Sequence, residues 1–532
     1  MLDYNYALKN LRKEELRGNN PVPDLLNFLH VSKLFGDKFD ETLNLYLEHL
    51  NECYRDIKPL LKIDVPKNNF TIRPMSRPYL KEWLLYEAII KNVSEKILLI
   101  HPDVCSRSYS IIRYKEKVTK ASNPWLQFDN NAREFYNKGY NYAVKTDITG
   151  YYENINLEQL RSRVFDFLDE TDENKKYVNL LFNMLRKWSL ERIKNFGLPQ
   201  GPPASSFLGD IFLDHVDRKM EKYQGYFRYM DDIRIFCQNE IEAKIALKEL
   251  IISLRELKLN INAKKTDILV NEEIENKLFD PHHELMDFID KAIDSGNHLL
   301  IENNVKNSLL KLFVDSFGED PFDQRHLTFS LFRLDILYNS NININEELII
   351  NYILDNIQSK PHHTDIFCTF LINFSTNKNI WDALIQFLQS EENIYEWQEM
   401  KILQCLLRFN IKLDKNEREV IRTLCEDRNK HPIVGCFYIL LFGKHCTNRE
   451  RDIIIDMYNP ADDNFRKSAI LLAVQELGKA SRNDFYSRIK SSDNEDISIF
   501  IDYIKTIKGP LYYLNIDKLK IETYKEAPPI LY

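Results

Sequence analysis

"RYMDDIRIF", residues 228–236, is the stretch on which the reading of this chain turns. Two adjacent aspartates, Asp231 and Asp232, stand in a run whose other residues are those of a strand. No Gly, Pro or Asn lies beside them to make an ordinary loop turn. The pattern predicts a strand, a tight turn and a second strand, with both carboxylates presented at the tip. Alone, an Asp-Asp pair is usually an exposed turn, because 29% of the chain is charged. Carboxylates held together within a strand pattern instead call for a nearby cation, since like charges otherwise repel.

Three other segments give the pair a context. "YAVKTDITGYYENI" (142–155) begins as an apolar strand that ends at Asp147, placing a third carboxylate beside the hairpin tip on a neighbouring strand. Three converging carboxylates suit two Mg²⁺ ions, hard cations that take oxygen ligands, with Mn²⁺ as a substitute. Such a pair serves nucleotidyl transfer, where charge develops on both the entering and the leaving oxygen. "GLPQGPPASSFLGDIFLDHVD" (197–217) combines a loop whose glycines allow close backbone approach with a long amphipathic helix. "VPKNNFTIRPMSRP" (65–78) places Lys67, Arg73 and Arg77 around an expected hairpin turning at Asn68-Asn69, across which Lys67 and Arg73, six apart, form a cationic grip for a triphosphate.

The chain has 532 residues, enough for two or more domains, and only 14 glycines, which favours helices over turn-rich β architecture. Its net charge of −8 is uneven: residues 1–270 hold 42 Lys and Arg against 38 Asp and Glu, whereas residues 271–532 hold 30 against 42. A polyanionic partner is therefore expected on the first half. Eight scattered cysteines without a C-x-x-C read as free thiols rather than as zinc ligands or disulfides. The start lacks a signal-peptide pattern and no apolar run reaches the ~20 residues of a membrane span, so a cytoplasmic protein with no membrane partner is expected. Apolar spacing predicts helices over residues 1–60, "LLNFLHVSKLF" (25–35) among them, then mixed strands and helices over 61–275. Residues 276–532 read as successive amphipathic helices, expected to stack as a helical repeat with an irregular bundle as the alternative.

Taken in order, these motifs resemble a reverse transcriptase. "DITGYYENI" is similar to the first palm motif, "GLPQGPPAS" to the Pro-Gln-Gly motif, "YMDD" to the Tyr-x-Asp-Asp motif, and "LKLNINAKKTDIL" to a later palm element. The resemblance covers roughly residues 60–270. It implies an α+β fold, with palm and fingers built on an antiparallel sheet with helices, followed by an all-α, HEAT-like domain. It further implies that Asp147 and Asp231 are the principal metal ligands, assisted by the Ile148 carbonyl and by Asp232. Lys67 and Arg73 would hold the triphosphate. Tyr152 would gate the sugar 2′ position, Gln200 and Gly201 would lie against the incoming nucleotide, and Lys265, with Lys264 as the neighbouring alternative, would protonate pyrophosphate.

An acidic helical half directly after the palm resembles the bacterial abortive-infection (Abi) and other defence-associated reverse transcriptases. That likeness implies a bacterial, homo-oligomeric DNA polymerase in antiphage defence that takes dNTPs, is protein-primed and works without a template. Tyr4, Tyr6, Tyr46 and Tyr54 are among the candidate primers. The alternatives are a retron-like or free-standing enzyme copying a dedicated or associated RNA, and a palm-derived scaffold that has lost catalysis.

Overall fold

Runs of β-branched and aromatic residues become six strands among the described residues, and the rest of the described chain is mainly helical. The computed structural model describes residues 2–17, 39–110, 124–189, 195–318, 322–427, 429–459 and 463–506, with positions 22, 25, 461, 509, 510 and 512. Positions 26–35 of the helix expected over 25–35 lie outside the described residues.

Strands β1 (Leu61–Pro66) and β2 (Ile72–Arg77) form an antiparallel hairpin that turns at Asn68-Asn69, as expected. Strands β3 (Tyr142–Asp147), β4 (Gly225–Tyr229), β5 (Asp232–Cys237) and β6 (Asp267–Val270) form a four-stranded sheet in the order β4-β5-β3-β6, antiparallel throughout. Alternation of side chains sorts this sheet into two faces. Val144, Tyr226, Ile233, Ile235 and Cys237 join one core; Ala143, Phe227, Tyr229, Phe236 and Leu269 join another on the opposite side.

Among the described residues, eight helices of ten or more residues serve the first half: α1 (Tyr4–Arg17), α2 (Phe39–Glu52), α3 (Leu80–Ile100), α4 (Pro124–Asn137), α5 (Leu157–Asp166), α6 (Asp172–Trp188), α7 (Ala204–Met220) and α8 (Glu240–Glu256). Side-chain caps start four of them: Asp3, Asn156, Thr171 and Asn239 each accept from backbone N–H groups of the first turn. The α7 start, which has no side-chain cap of its own, is met by Glu87 of α3, which accepts from Ala204 N–H at 3.2 Å. Helices α1, α2, α3 and α5–α8 supply the first core, so α1 and α2 pack with the sheet. Phe128 and Ala132 of α4 supply the second.

After β6 the described chain is helical. Lys306–Asp315 packs on Asp323–Asn339, that helix on Thr364–Leu371, and the succession continues through Glu396–Leu406, Pro432–His445, Asn464–Ala473 and Glu495–Thr506. The intervening helices lie against this row. The core of this half also takes in Ile63 of β1, with Leu61, Val65 and Tyr79 packed against it. All eight cysteines are free, and seven are buried. No described helix is long and apolar enough to cross a membrane.

Candidate active site

The expected hairpin forms, with the aspartates divided between its parts. Met230 and Asp231 make the turn, and Asp232 is the first residue of β5, opposite Tyr229. Met230 takes φ +54°, a left-handed conformation that a non-glycine residue adopts only where its surroundings hold it. Antiparallel pairing of β3 with β5 sets Asp147 directly across from Asp232. The three carboxylates therefore meet at one end of the sheet.

Their electrostatics are those of an anionic cluster short of cations. The Asp231 carboxyl is pushed up to about 7 by burial first, then by the charge of Asp147, with which it shares a hydrogen bond, and by Asp232. Asp232 is also raised, again by burial first; Arg234 and Lys145 oppose that shift and Asp147 adds to it. Among the described residues the buried Asp232 Oδ1 has no hydrogen-bond partner. An orphaned carboxylate oxygen beside two further carboxylates is the donor set of a hard divalent cation, so the residues fit Mg²⁺.

Cations approach from two sides. Lys265, in the 3₁₀ turn before β6, donates to Asp147 Oδ2 at 2.8 Å. That turn is fixed by Asn262 N–H donating to Asp147 C=O at 2.7 Å and by the bridge between Ile148 and Ile261. Lys67, at the tip of the β1–β2 hairpin, has its ammonium pushed down by burial first, then by Arg73 and Lys265, while Asp147 and Asp231 pull it up. The hairpin tip is thus within electrostatic reach of the carboxylates. Arg73, opposite Val65, is exposed beside Lys67. Arg77 does not join them: it is buried, 5.3 Å from the Trp83 ring centroid.

The remaining expected residues lie on the turn Tyr151–Asn154 and in the loop before α7. Tyr152 lies in the helical turn Tyr151–Asn154, its hydroxyl 3.7 Å from Met230 Sδ. Its neighbour Tyr151 is buried and donates to Gly209 C=O on α7 at 2.5 Å. Gln200 accepts at its carbonyl from Ser76 N–H at 2.8 Å, joining the loop to β2. Gly201 has φ +132°, and a Cβ there would stand 2.6 Å from Ser76 O. Gly201→Ala is therefore expected to break this junction at a cost of about 1–3 kcal/mol, read as a lower urea midpoint and weaker nucleotide use.

One functional group went unread although it opens the quoted stretch. Arg228 is buried and forks between Asp210, at 2.6 Å, and Asp217, at 2.8 Å, both on α7. Asp210 also accepts from Ser108 and Ser110 at 2.7 and 2.8 Å, and Tyr226 donates to Asp217 at 2.7 Å. Arg228 Nη1 donates to Met230 C=O at 3.2 Å, and Met230 N–H reaches Ser110 Oγ at 3.4 Å. The strained turn is thus clamped from beneath. The signal was present: Asp210, Asp214 and Asp217, four and three apart, lie along one face of a helix that is otherwise apolar there.

The comparisons bear on this half of the chain. Residues 59–289, less than half of its length, match the family model described as reverse transcriptase (RNA-dependent DNA polymerase). Among curated proteins, the "Putative COX1/OXI3 intron 2 protein" of Saccharomyces cerevisiae is 24% identical over 234 residues, which are 43% of this chain. The chain spans only 24% of that relative's length. Among solved structures, telomerase from Candida albicans in complex with a TWJ fragment of telomeric RNA superposes with a TM-score of 0.31 at 10% identity, over 75% of this chain and 68% of that one. The corresponding Candida tropicalis telomerase gives 0.31 and 12%, over 74% and 67%. At those scores the chain paths diverge widely, and nothing in the site rests on them. The motif order, the converging carboxylates and the family match agree: residues 59–289 are a domain of the reverse transcriptase type, and so of the nucleotidyltransferase class.

Proposed function

We propose that this protein is a Mg²⁺-dependent DNA polymerase of reverse transcriptase type that adds dNTPs by nucleotidyl transfer. The observation that carries the reading is the meeting of Asp147, Asp231 and Asp232 at one sheet end, with an unpartnered carboxylate oxygen among them. In this reading Asp147, Asp231 and the Ile148 carbonyl hold the divalent ions, with Asp232 completing the set. Bound there, the ions supply activation of the attacking hydroxyl and neutralisation of the leaving group. Lys67 and Arg73 bind and orient the triphosphate. Lys265, already on Asp147, yields that carboxylate and gives a proton to the departing pyrophosphate. Tyr152 walls off the sugar 2′ position, and the Gln200-Gly201 backbone positions the nucleotide against its partner strand. Lys67→Ala is expected to raise the KM for dNTP about 10- to 100-fold, the worth of charge-assisted contacts to phosphate, with kcat changed much less.

The finer reading is a bacterial, cytoplasmic enzyme of the abortive-infection group, acting in antiphage defence as a homo-oligomer, with the helical half as a HEAT-like solenoid. The acidic second half supports it, since a surface that grips a long duplex is basic. Of the tyrosines considered for priming, Tyr4 is buried and donates to Asn44, and Tyr46 donates to Glu82 at 2.5 Å, whereas Tyr54 is exposed. The test is incubation with Mg²⁺ and each labelled dNTP, with and without added RNA template. Incorporation without template supports the defence reading, and strict dependence on one RNA supports the retron-like one. Absence of incorporation under every condition leaves the scaffold. Intact mass of the purified protein reads out priming directly, as covalently attached nucleotides.

A further inference from the structure

A two-stranded hairpin is at best marginally stable in water, so β1–β2, which carries Lys67 and Arg73, needs support from elsewhere. That support comes from residues more than 300 positions further along, at three separate points. At the tip, Tyr395 donates its hydroxyl to Phe70 C=O at 3.0 Å. In the middle, Ile63 is buried in the core of the C-terminal helices, and β1 lies against Glu396–Leu406. At the two ends, Lys58 before β1 and Lys81 after β2 both pair with Asp496, at 2.6 and 2.7 Å. These two ammonium groups hold the Asp496 carboxyl below the usual carboxylate range, although burial acts the other way.

The tip contact acts on the turn that presents Lys67. Lys67 N–H donates to Thr71 C=O at 2.7 Å and Phe70 N–H to Lys67 C=O at 3.0 Å, while Phe70 sits at φ +56°. A left-handed phenylalanine is unfavourable unless neighbouring contacts hold it, and the Phe70 carbonyl is what Tyr395 engages. The Phe70 ring itself is 58% exposed, so the anchoring runs through the backbone and leaves the side chain in solvent. On the opposite edge β2 is tied to the Gln200 carbonyl, so the hairpin bridges the Gly-Leu-Pro-Gln-Gly loop and the helical half.

We infer that the C-terminal helical half is part of the nucleotide-binding apparatus, and that Tyr395 and Asp496 are positioning residues setting where Lys67 and Arg73 stand. The inference rests on the polymerase reading for its kinetic consequence and on the geometry alone for its mechanical one. Any partner or modification that shifts Glu396–Leu406 or Glu495–Thr506 therefore acts on the affinity for dNTP.

Full-length Tyr395→Phe, Asp496→Asn, Lys67→Ala and the double variant Lys67→Ala/Tyr395→Phe provide the test, with steady-state kinetics and amide hydrogen exchange. Tyr395→Phe is expected to raise the KM for dNTP about 3- to 10-fold, as for one hydrogen bond, with kcat within about twofold and faster exchange at Lys67 and Phe70. Asp496→Asn is expected to move KM in the same direction. The double variant should lose less than the two single losses combined, because part of the Tyr395 effect runs through Lys67. An unchanged KM together with unchanged exchange in Tyr395→Phe overturns the inference, as does full additivity in the double variant. A wild-type protein that incorporates no nucleotide overturns the polymerase reading, while faster exchange in Tyr395→Phe would still uphold the anchoring.

Discussion

Asp231→Asn should lower Mg²⁺-supported dNTP incorporation by about 10³-fold or more, roughly 4 kcal/mol of transition-state stabilisation, and should make the metal-free protein more stable. Both effects have one cause. Asp231 is placed where its charge is unfavourable, beside Asp147 and Asp232 and largely shielded from water, so its charge weakens the fold unless a cation is bound. Its carboxyl titrates near 4 in an unfolded chain and at about 7 in the folded one. The folded state thus holds the proton more tightly, and stability is lost as pH rises through that interval. Asparagine keeps the shape and removes the charge. In chelator at pH 8 the variant is expected to gain about 1 kcal/mol or more over the parent in urea unfolding, and to lose most of the parent's dependence on pH between about 4 and 7. Mg²⁺ should raise the melting temperature of the parent and not that of the variant. A variant that polymerises normally, or a parent whose stability ignores Mg²⁺, would remove Asp231 from the site.

Arg228→Met should destabilise the protein by about 3–5 kcal/mol, because it strands Asp210 and Asp217 in the interior without their counter-ion. Arg228→Lys should recover little, since an ammonium does not reproduce the fork that spans both carboxylates. The triple variant Asp210→Asn/Asp217→Asn/Arg228→Met is expected to regain much of the stability, because no buried charge is then left alone. It should nevertheless remain a poor polymerase: the contact from Arg228 to Met230 C=O is gone, and the left-handed turn that presents Asp231 relaxes. Urea midpoints set against incorporation rates separate the two consequences. If the triple variant recovered full activity, Arg228 would be a packing residue only.

What was legible in the sequence was local. Alternation in "RYMDDIRIF" announced two strands, and the absence of a turn residue in it was answered by Met230 taking the left-handed conformation. Asn68-Asn69 announced the β1–β2 hairpin, and the spacing from Lys67 to Arg73 survived as adjacent cations near its tip. That Arg77 is buried beside Trp83 could not be read from the sequence, which gives no account of which side of a hairpin a neighbouring aromatic ring will occupy. Lys145 and Arg234, whose charges temper Asp232, went unnoticed because each looks like an ordinary strand charge until β3 and β5 pair.

By itself the sequence determined which carboxylates are candidates, which strands carry them and in what order the helices follow, since periodicity and turn chemistry are properties of short windows. Tertiary structure alone decided that Arg228 lies beneath the turn between two aspartates of α7, and that the β1–β2 hairpin rests on Tyr395, Asp496 and the helical core around Ile63. Those contacts join residues from about ten to more than four hundred positions apart. The free energy that selects them comes from burying apolar surface and pairing charge between whole elements, and no single element contains both partners.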